Sequence, residues 1–278
     1  MNLLKLRLLL EQFFIEDIGE RDVTTDLIFN EEAEGEIVFI AKEKGIFSGA
    51  DIIQIGFTLL DSKASISMYV KDGDPVEKGQ QIATVKGQVR SLLKGERVIL
   101  NLLQRMSGIS TSTFEAVKLL NSKRTKITDT RKTTPGLRML EKYAVRCGGG
   151  FNHRYGLYDE VLIKDNHIAF AGTITKAVEA VRDQLGHMVK IEVETETKKQ
   201  VLEAVKANVD CIMFDNRNRE EINELAALVP DHITTEVSGG LRLQDLPQYS
   251  NLNIDYISLG CLTHSISSLD ISVKVLVK

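Results

Sequence analysis

The second half of the chain alternates short apolar runs with longer amphipathic stretches. Each apolar run holds about five residues, and the stretches ITKAVEAVRDQL, ETKKQVLEAVKA and REEINELAALV that separate several runs have helical periodicity. The last four runs, VKIEVET, CIMFDN, ITTEVSGG and DYISLG, recur about every 22 residues. Strands that alternate with helices at this spacing predict βα units and a parallel sheet.

The ends of these runs favour a barrel over an open sheet. KITDTRK and EVLIKDN precede the four regular repeats, and nearly every run finishes in a side chain that can bind or catalyse. Barrel enzymes build their active sites at the carboxyl ends of the strands. We therefore predict a parallel α/β barrel, with an open doubly wound sheet as the alternative.

The first hundred residues follow a different pattern. An amphipathic helix, MNLLKLRLLLEQFF, precedes three strand-like runs, EGEIVFIAKE, GIFSGADIIQIGFTLL and ASISMYVKDGDPVEKGQQIATVKGQV, which predict a small mixed α and β domain. The leucine spacing of SLLKGERVILNLLQRMSGIST predicts a helix that leads into the second region. No helical pattern follows the final run, ISVKVLVK, so we expect it to pair with the first domain. These patterns place one domain at residues 1–110 with 268–278 and the barrel at residues 111–267.

Composition narrows the functional classes. The chain of 278 residues is 43% hydrophobic and has a net charge of -4, whereas nucleic-acid binders usually carry a basic excess, so we expect no nucleic-acid partner. The three cysteines lie far apart without a CxxC pair, which fits a reduced cytoplasm. No apolar run reaches the roughly 18 to 20 residues that span a bilayer, and no secretory cleavage site follows the first helix. We expect a soluble cytoplasmic protein without membrane contacts.

Basic residues collect at three places. Arg131 and Lys132 follow one apolar run in TDTRKTTPGLR, His153 and Arg154 follow three glycines in GGGFNHRYGL, and Lys164 ends the run in LIKDNHI. Arginine gives a carboxylate planar two-point contacts, and lysine gives it a point charge. Any one of them alone is more simply a solvated cation or a core histidine, but together they predict a site for a dicarboxylate.

Two carboxylates end neighbouring runs. Glu194 in IEVET and Asp215 in MFDN lie one repeat apart. There they can hold Mg²⁺ or ribose hydroxyls, because Mg²⁺ prefers oxygen ligands and often arrives with substrate phosphates. Glu192 lies two residues before Glu194 on the same face of the strand, so it is an alternative for this role. Strand-end capping explains each carboxylate equally well when it is taken alone.

Small residues end the last two runs. Ser238, Gly239 and Gly240 follow one run and Gly260 follows the other, with His264 just beyond it. Glycines free backbone amides for an anion, and barrels commonly bind phosphate after their last strands. These ends therefore predict a phosphate site, although glycine is also common in ordinary turns.

Taken in order, these segments resemble the signature segments of the quinolinate phosphoribosyltransferases, the type II phosphoribosyltransferases. The matching segments span nearly the whole chain; they are GERVILNLLQRMSGIST, DTRKTTPGLRMLEKYAVRCGGGFNHRYGLYDEVLIKDNHI, EVET, DN, EVSGG and GCLTHS. The long central segment is highly specific. The resemblance implies phosphoribosyl transfer from phosphoribosyl pyrophosphate to quinolinate with decarboxylation, which gives nicotinate mononucleotide, pyrophosphate and CO2 for NAD biosynthesis.

The resemblance also implies a fold and an assembly. The subunit would have an N-terminal α/β sandwich domain of the hammerhead-like kind, followed by an incomplete TIM-like α/β barrel. It would form a homodimer or a higher homo-oligomer. Each active site would be shared between one subunit's barrel and its neighbour's sandwich domain, and Arg97 would cross to the neighbouring site.

The family roles fall on named residues of this chain. Quinolinate would be bound by Arg97, Arg131, His153, Arg154 and Lys164. Phosphoribosyl pyrophosphate would be bound by Lys132, Lys164, Glu194, Asp215, Ser238, Gly239, Gly260 and His264. Glu194 and Asp215 would bind Mg²⁺, and with Lys132 they would be the catalytic residues. The quinolinate ring becomes cationic on attack and accepts the electron pair left by CO2, so we expect no organic cofactor.

Three alternatives stay open. A related phosphoribosyltransferase would use another aromatic acid such as nicotinate, or the uncertain substrate of a molybdenum-associated relative. A Schiff-base aldolase would use Lys164 as its nucleophile. A carrier or binding module would rest on DGDPVEKGQ in the first domain, which resembles the turn-rich strands of lipoyl and biotinyl carriers.

Overall fold

The chain folds as two compact units in this computed structural model, which describes residues 1–276. The first unit comprises Met1–Phe114, Met139–Gly149 and the terminal segment from Ile266, and the second comprises Glu115–Arg138 and Gly150–Ser265. The boundaries at 114 and 266 lie within four residues of those expected at 110 and 268. Met139–Gly149 differs, because we expected it in the barrel. Residues 277 and 278 of the predicted first domain lie outside the described residues.

Helices and strands alternate along most of the chain. The helices are α1 (Leu3–Ile18), α2 (Val23–Ile28), α3 (Ala50–Leu60), α4 (Val89–Leu120), α5 (Arg138–Cys147), α6 (Asp165–Ala171), α7 (Ile174–Arg182), α8 (Lys198–Lys206), α9 (Arg219–Ala226) and α10 (Cys261–His264), with a 3-10 helix at Leu243–Tyr249. The strands are β1 (Glu34–Ala41), β2 (Gly45–Ile46), β3 (Ser65–Met68), β4 (Pro75–Val76), β5 (Gln81–Gln88), β6 (Lys126–Thr128), β7 (Val161–Ile163), β8 (Ile191–Thr195), β9 (Cys211–Asp215), β10 (Thr234–Ser238), β11 (Tyr256–Ser258) and β12 (Ile271–Val275). Within residues 1–276, no helix combines the length and the apolar character needed to cross a membrane.

The first unit contains an antiparallel sheet in the order β12-β1-β5-β3. Helix α3 packs against this sheet through Phe57, whose ring lies edge-on to Phe39 of β1 at a centroid distance of 6.0 Å. β12 pairs with β1, where Ile271 lies opposite Ala41. The predicted return of the chain end to the first domain is therefore confirmed for the described part of ISVKVLVK.

The run GIFSGADIIQIGFTLL is mostly helical, where we predicted a strand. Only β2 is a strand, and α3 forms most of the rest. Isoleucines favour strands locally, but the Asp72 carboxylate accepts hydrogen bonds from the amides of Gly49 and Ala50 at 2.7 and 2.9 Å and so caps the helix. The helix then buries one face, formed by Ile52, Ile53, Gly56 and Phe57. Asp72 belongs to DGDPVEKGQ, which thus has a structural role in this unit.

Helix α5 belongs to the first unit because its polar side chains have partners there. Glu141 is 1% exposed, and its Oε1 lies 2.6 Å from Arg105 Nη2 of α4. The Tyr143 hydroxyl donates to the Asp72 carboxylate at 2.6 Å. In the sequence the helix lies between two barrel runs, so only these contacts reveal where it packs.

The second unit is built on six parallel strands in the order β6-β11-β10-β9-β8-β7. The first of them along the chain, β6, lies beside the last, β11, as in a barrel. One parallel bridge joins Thr128 of β6 to Phe151, and β6 and β7 form no ladder with each other in the described part of the chain. Six strands with this gap agree with the predicted incomplete barrel. Helices α7, α8 and α9 confirm the three predicted helical stretches.

Candidate active site

A cavity of about 880 Å³ opens in the second unit at the carboxyl ends of the strands. Small-molecule sites typically enclose roughly 300 to 1,000 Å³. The cavity gathers nearly all the predicted site residues, namely Arg131, Lys132, His153, Arg154, Lys164, Glu194, Asp215, Ser238, Gly239, Gly260 and His264. Arg97 is the exception, because it is exposed on α4 in the first unit and does not line this cavity.

The first pair of cations follows β6. The Lys132 amide donates to Thr130 Oγ1 at 3.0 Å, and the Lys132 carbonyl accepts from Thr263 Oγ1 at 2.7 Å. The first bond lies within the loop after β6, and the second joins that loop to helix α10. With the loop held in this way, Arg131 and Lys132 both line the cavity.

Asp129 positions the second group. Phe151 forms a parallel bridge with Thr128 of β6. Just after Phe151, the Asp129 carboxylate accepts hydrogen bonds from the His153 amide at 2.9 Å and from Asn152 Nδ2 at 2.6 Å. Asp129 is itself fully buried at the end of β6. The carboxylate therefore fixes the backbone that presents His153 to the cavity.

Arg154 is buried with an unsatisfied donor. It is 7% exposed, and its Nη1 donates to the Glu160 carbonyl at 3.2 Å, while its Nε has no hydrogen-bond partner within residues 1–276. Burial and the charge of Arg131 lower the pKa of Arg154. A carboxylate bound between the two guanidinium groups would satisfy the donor and offset their repulsion.

Lys164, Glu194 and Asp215 form a charged cluster at the ends of β7, β8 and β9. Lys164 Nζ lies 2.6 Å from Glu194 Oε2. Burial and the neighbouring Glu194 raise the pKa of Asp215, and the Lys164 charge and the Asn216 side chain oppose this only in part. The two carboxylates thus carry more negative charge than their surroundings compensate. A divalent cation would relieve the excess, and their oxygen donors fit Mg²⁺.

Lys164 does not have the surroundings of a Schiff-base nucleophile. Its side chain is 44% exposed and pairs with Glu194. A lysine that forms a Schiff base is usually desolvated in an apolar pocket or lies beside another cation, because it must act as a neutral amine. The geometry favours a cation that binds anions.

The loops after β10 and β11 carry glycines that pack closely against neighbouring residues of the cavity. Gly239 has φ +98°, and a Cβ there would lie 2.8 Å from the amide nitrogen of Asn216, so only glycine fits. A Cβ on Gly260 would lie 3.0 Å from Lys132 Cδ and 3.1 Å from the His264 ring. Both loops therefore combine small residues with polar or cationic neighbours, which suits an anion.

The cavity also contains residues that the sequence analysis missed. Asn216 and Glu236 line it, as do Thr130 and Arg242. Asn216 has φ +53°, a conformation that asparagine adopts more readily than most residues, and its place directly after a strand-end aspartate was a usable signal. Glu236 lies two residues before Ser238 on the same face of β10, so strand alternation could have identified it.

Glu192 does not take the role that we considered for it. Its Oε2 lies 3.0 Å from His153 Nε2, and it lines a second cavity of about 210 Å³ rather than the large one. Glu194 lines the large cavity. The two side chains share a face of β8, but two residues along a strand are roughly 6 to 7 Å apart. That separation places them in different surroundings.

Two family models together match most of the chain. The model described as "Quinolinate phosphoribosyl transferase, N-terminal domain" matches residues 22–107. The model described as "Quinolinate phosphoribosyl transferase, C-terminal domain" matches residues 109–274. The two matches follow one another in the same order as the two halves inferred above.

Known proteins are similar over nearly the same length. A Bacillus subtilis protein named probable nicotinate-nucleotide pyrophosphorylase (carboxylating) is 55% identical, covering 99% of this chain and 95% of its own. The structure of NadC from Streptococcus pyogenes has a TM-score of 0.92 and 40% identity, with 96% of this chain and 95% of that chain covered. For the nicotinate-nucleotide pyrophosphorylase from Francisella tularensis the TM-score is 0.94 and the identity 36%, with 99% and 98% covered. The chain belongs to the quinolinate phosphoribosyltransferase family.

Proposed function

We propose that this chain joins quinolinate to phosphoribosyl pyrophosphate, releases CO2 and pyrophosphate, and so makes nicotinate mononucleotide for NAD biosynthesis. The observation that carries the proposal is the cavity in which Arg131, Arg154 and Lys164 lie together with Glu194 and Asp215. The cations suit a dicarboxylate, and the carboxylates suit a ribose and its metal ion. Family membership supports the same reaction.

Quinolinate binds through its two carboxylates. Arg131 and Arg154 provide planar contacts, Lys164 provides a point charge, and His153 contributes its ring at the cavity wall. The unpartnered Nε of Arg154 supports this assignment, because a buried donor gains most when a carboxylate supplies the missing acceptor. Arg97 completes the set from the neighbouring subunit of a homodimer or higher homo-oligomer, so two copies of the chain share each site.

Phosphoribosyl pyrophosphate binds beside the acid. Glu194 and Asp215 would hold the ribose hydroxyls and Mg²⁺, which would supply positive charge to offset that of the pyrophosphate. Lys132 and Lys164 lie between the two substrates and contact both. The phosphates are received by Ser238, Gly239, Gly260 and His264.

The chemistry depends on matching charges as bonds change. Positive charge grows on the ribose as the bond from the anomeric carbon to the pyrophosphate oxygen breaks. Glu194 and Asp215 stabilise that positive charge, and Lys132 stabilises the negative charge on the departing oxygen. The pyridine nitrogen forms the new bond to the anomeric carbon. The cationic ring then accepts the electron pair left when the adjacent carboxylate departs as CO2, and a proton takes its place. Because the substrate is its own electron sink, the reaction needs no organic cofactor.

A cytoplasmic location is part of the same proposal. Cys147, Cys211 and Cys261 are free thiols, which a reducing compartment maintains. Both substrates are small, charged metabolites, so the site needs neither nucleic acid nor a membrane as a partner.

An assay of the purified protein with phosphoribosyl pyrophosphate and Mg²⁺ tests the activity. Quinolinate should give nicotinate mononucleotide and CO2, whereas nicotinate in parallel should give far less product, because one carboxylate cannot engage all of the cations. Turnover of nicotinate instead of quinolinate would overturn the substrate assignment. No product from either acid would overturn the activity itself.

Subunit mixing tests the shared site. Arg97→Ala and Arg131→Ala should each remove most of the activity. If the two arginines reach one site from different subunits, random mixing should restore about a quarter of the wild-type activity, since half of the dimers are hybrids with one intact site of two. No recovery after verified subunit exchange would refute the crossing of Arg97.

A further inference from the structure

Two buried carboxylates face the ring of His153 inside the barrel. Glu192 Oε2 of β8 lies 3.0 Å from His153 Nε2, and Glu236 Oε1 of β10 lies 3.6 Å from it. The three side chains are at most 10% exposed. In barrels of this kind alternate strands contribute to one interior layer, which is normally filled by branched apolar residues. A pair of carboxylates in such a layer therefore requires an explanation.

The burial of Glu236 carries an energetic cost. Its Oε1 makes no hydrogen bond within residues 1–276. Burial, together with the charge of Glu192, raises the pKa of Glu236 to about 8. An apolar side chain of similar volume would avoid both penalties. A residue that the fold would be more stable without is more simply explained by function than by packing.

His153 links the two carboxylates to the substrate cavity. Its ring lines that cavity, and its Nδ1 accepts a hydrogen bond from the Arg154 amide at 2.9 Å. One ring nitrogen thus faces the carboxylates, and the other holds the backbone of a buried arginine. Rotation of the imidazole would break both contacts. Asp129 fixes the His153 amide at 2.9 Å, so the backbone is held separately from the ring.

We infer that Glu192 and Glu236 are positioning residues that act through His153: they fix its imidazole and, through it, the Arg154 side of the acid-binding site. The inference rests on the proposed function, which assigns quinolinate to that side of the cavity. A hydrogen bond to a charged group typically contributes about ten-fold or more to binding. Loss of the orientation should therefore weaken binding of the acid substrate by about ten-fold or more.

A substitution of similar volume separates positioning from structural support. Glu236→Leu should leave the Tm at pH 8 unchanged or higher, because a buried carboxylate whose Oε1 lacks a hydrogen bond is lost. It should raise the KM for quinolinate about ten-fold and change the KM for phosphoribosyl pyrophosphate less than about two-fold. A lower Tm with an unchanged KM for quinolinate would show a structural carboxylate and overturn the inference.

Glu203 provides the matched control. Its Oε1 accepts hydrogen bonds from the Thr175 amide and hydroxyl at 2.9 and 3.1 Å, away from the cavity. Glu203→Leu removes a satisfied structural acceptor, so it should lower the Tm and leave both KM values unchanged. This pattern is the opposite of the one expected for Glu236→Leu.

Two variants of Glu192 examine its hydrogen bond to His153. Glu192→Gln keeps an acceptor for the ring, so the KM for quinolinate should rise less than about three-fold, whereas Glu192→Leu should raise it about ten-fold. In a His153→Ala background neither change should add more than about two-fold, because the ring through which Glu192 acts is gone. Full additivity in the double variants would overturn the inference.

Nitrogen-15 NMR of the histidine rings gives a readout that does not depend on turnover. Glu192→Leu should shift the Nε2 resonance of His153, assigned by its loss in His153→Ala, and leave that of His167 unchanged. If the wild-type protein turns over quinolinate but Glu192→Leu leaves the His153 resonance unchanged, only the inference is overturned. If Glu192→Leu shifts the resonance but the wild-type protein does not turn over quinolinate, the proposed function is overturned instead.

Discussion

Lys164→Met removes one positive charge from the candidate active site while keeping most of the side-chain length. Without substrate, Lys164 Nζ lies 2.6 Å from Glu194 Oε2, and the two side chains are 44% and 13% exposed. Ion pairs with this degree of exposure contribute about 0 to 1 kcal/mol to stability. The Tm should therefore fall by no more than about 4 °C.

The effect on activity should be much larger. A charge-assisted hydrogen bond to a substrate carboxylate is worth about 1.5 to 3 kcal/mol, which corresponds to roughly a 10- to 150-fold loss in kcat/KM. Lys164 also lowers the pKa of Asp215, which burial and Glu194 raise. Without Lys164 that pKa rises further. In the proposed reaction Asp215 acts as a carboxylate, so the acidic limb of the kcat/KM profile should move to higher pH.

Formation of nicotinate mononucleotide measures this prediction, with quinolinate varied at saturating phosphoribosyl pyrophosphate from about pH 5 to 9. Lys176→Met is the matched control, because Lys176 is an exposed lysine on α7 outside the cavity. It should change neither kcat/KM nor the pH profile. A loss below about three-fold in Lys164→Met would refute the assignment of Lys164 to anion binding, and an unchanged acidic limb would refute its effect on Asp215.

Two further predictions concern the loop after β10 and the barrel interior. Gly239→Ala should lower stability and turnover more than Gly240→Ala does, because both have positive φ but a methyl group at 239 meets the Asn216 amide nitrogen at 2.8 Å whereas at 240 it meets nothing within 4 Å. Turnover and thermal melts compare the two, and equal effects would contradict the steric argument. Burial and the charge of Glu192 raise the pKa of Glu236 to about 8, well above that of an exposed glutamate. Glu236 therefore binds its proton more tightly in the folded protein, so the Tm should fall as the pH rises from roughly 5 to 8, and Glu236→Gln should flatten that fall; a rising Tm would contradict the sign.

The barrel and most of the candidate site could be predicted from the amino-acid sequence. Parallel strands bring their carboxyl ends to one edge of a sheet, so residues that end apolar runs meet in space even when they are far apart in the chain. Lys164, Glu194 and Asp215 could be assigned to one site on this basis. The local pattern was enough because strand alternation and the βα repeat are properties of short segments.

The partners of the remaining residues depend on tertiary packing. The isoleucine-rich run became helix α3 because Asp72, 23 residues beyond Gly49, caps it. Helix α5 joined the first unit because Glu141 meets Arg105, 36 residues away. Glu236 meets the ring of His153 across the barrel interior, although 83 residues separate them in the chain. Contacts at these separations depend on how whole elements pack, and local periodicity carries no information about that.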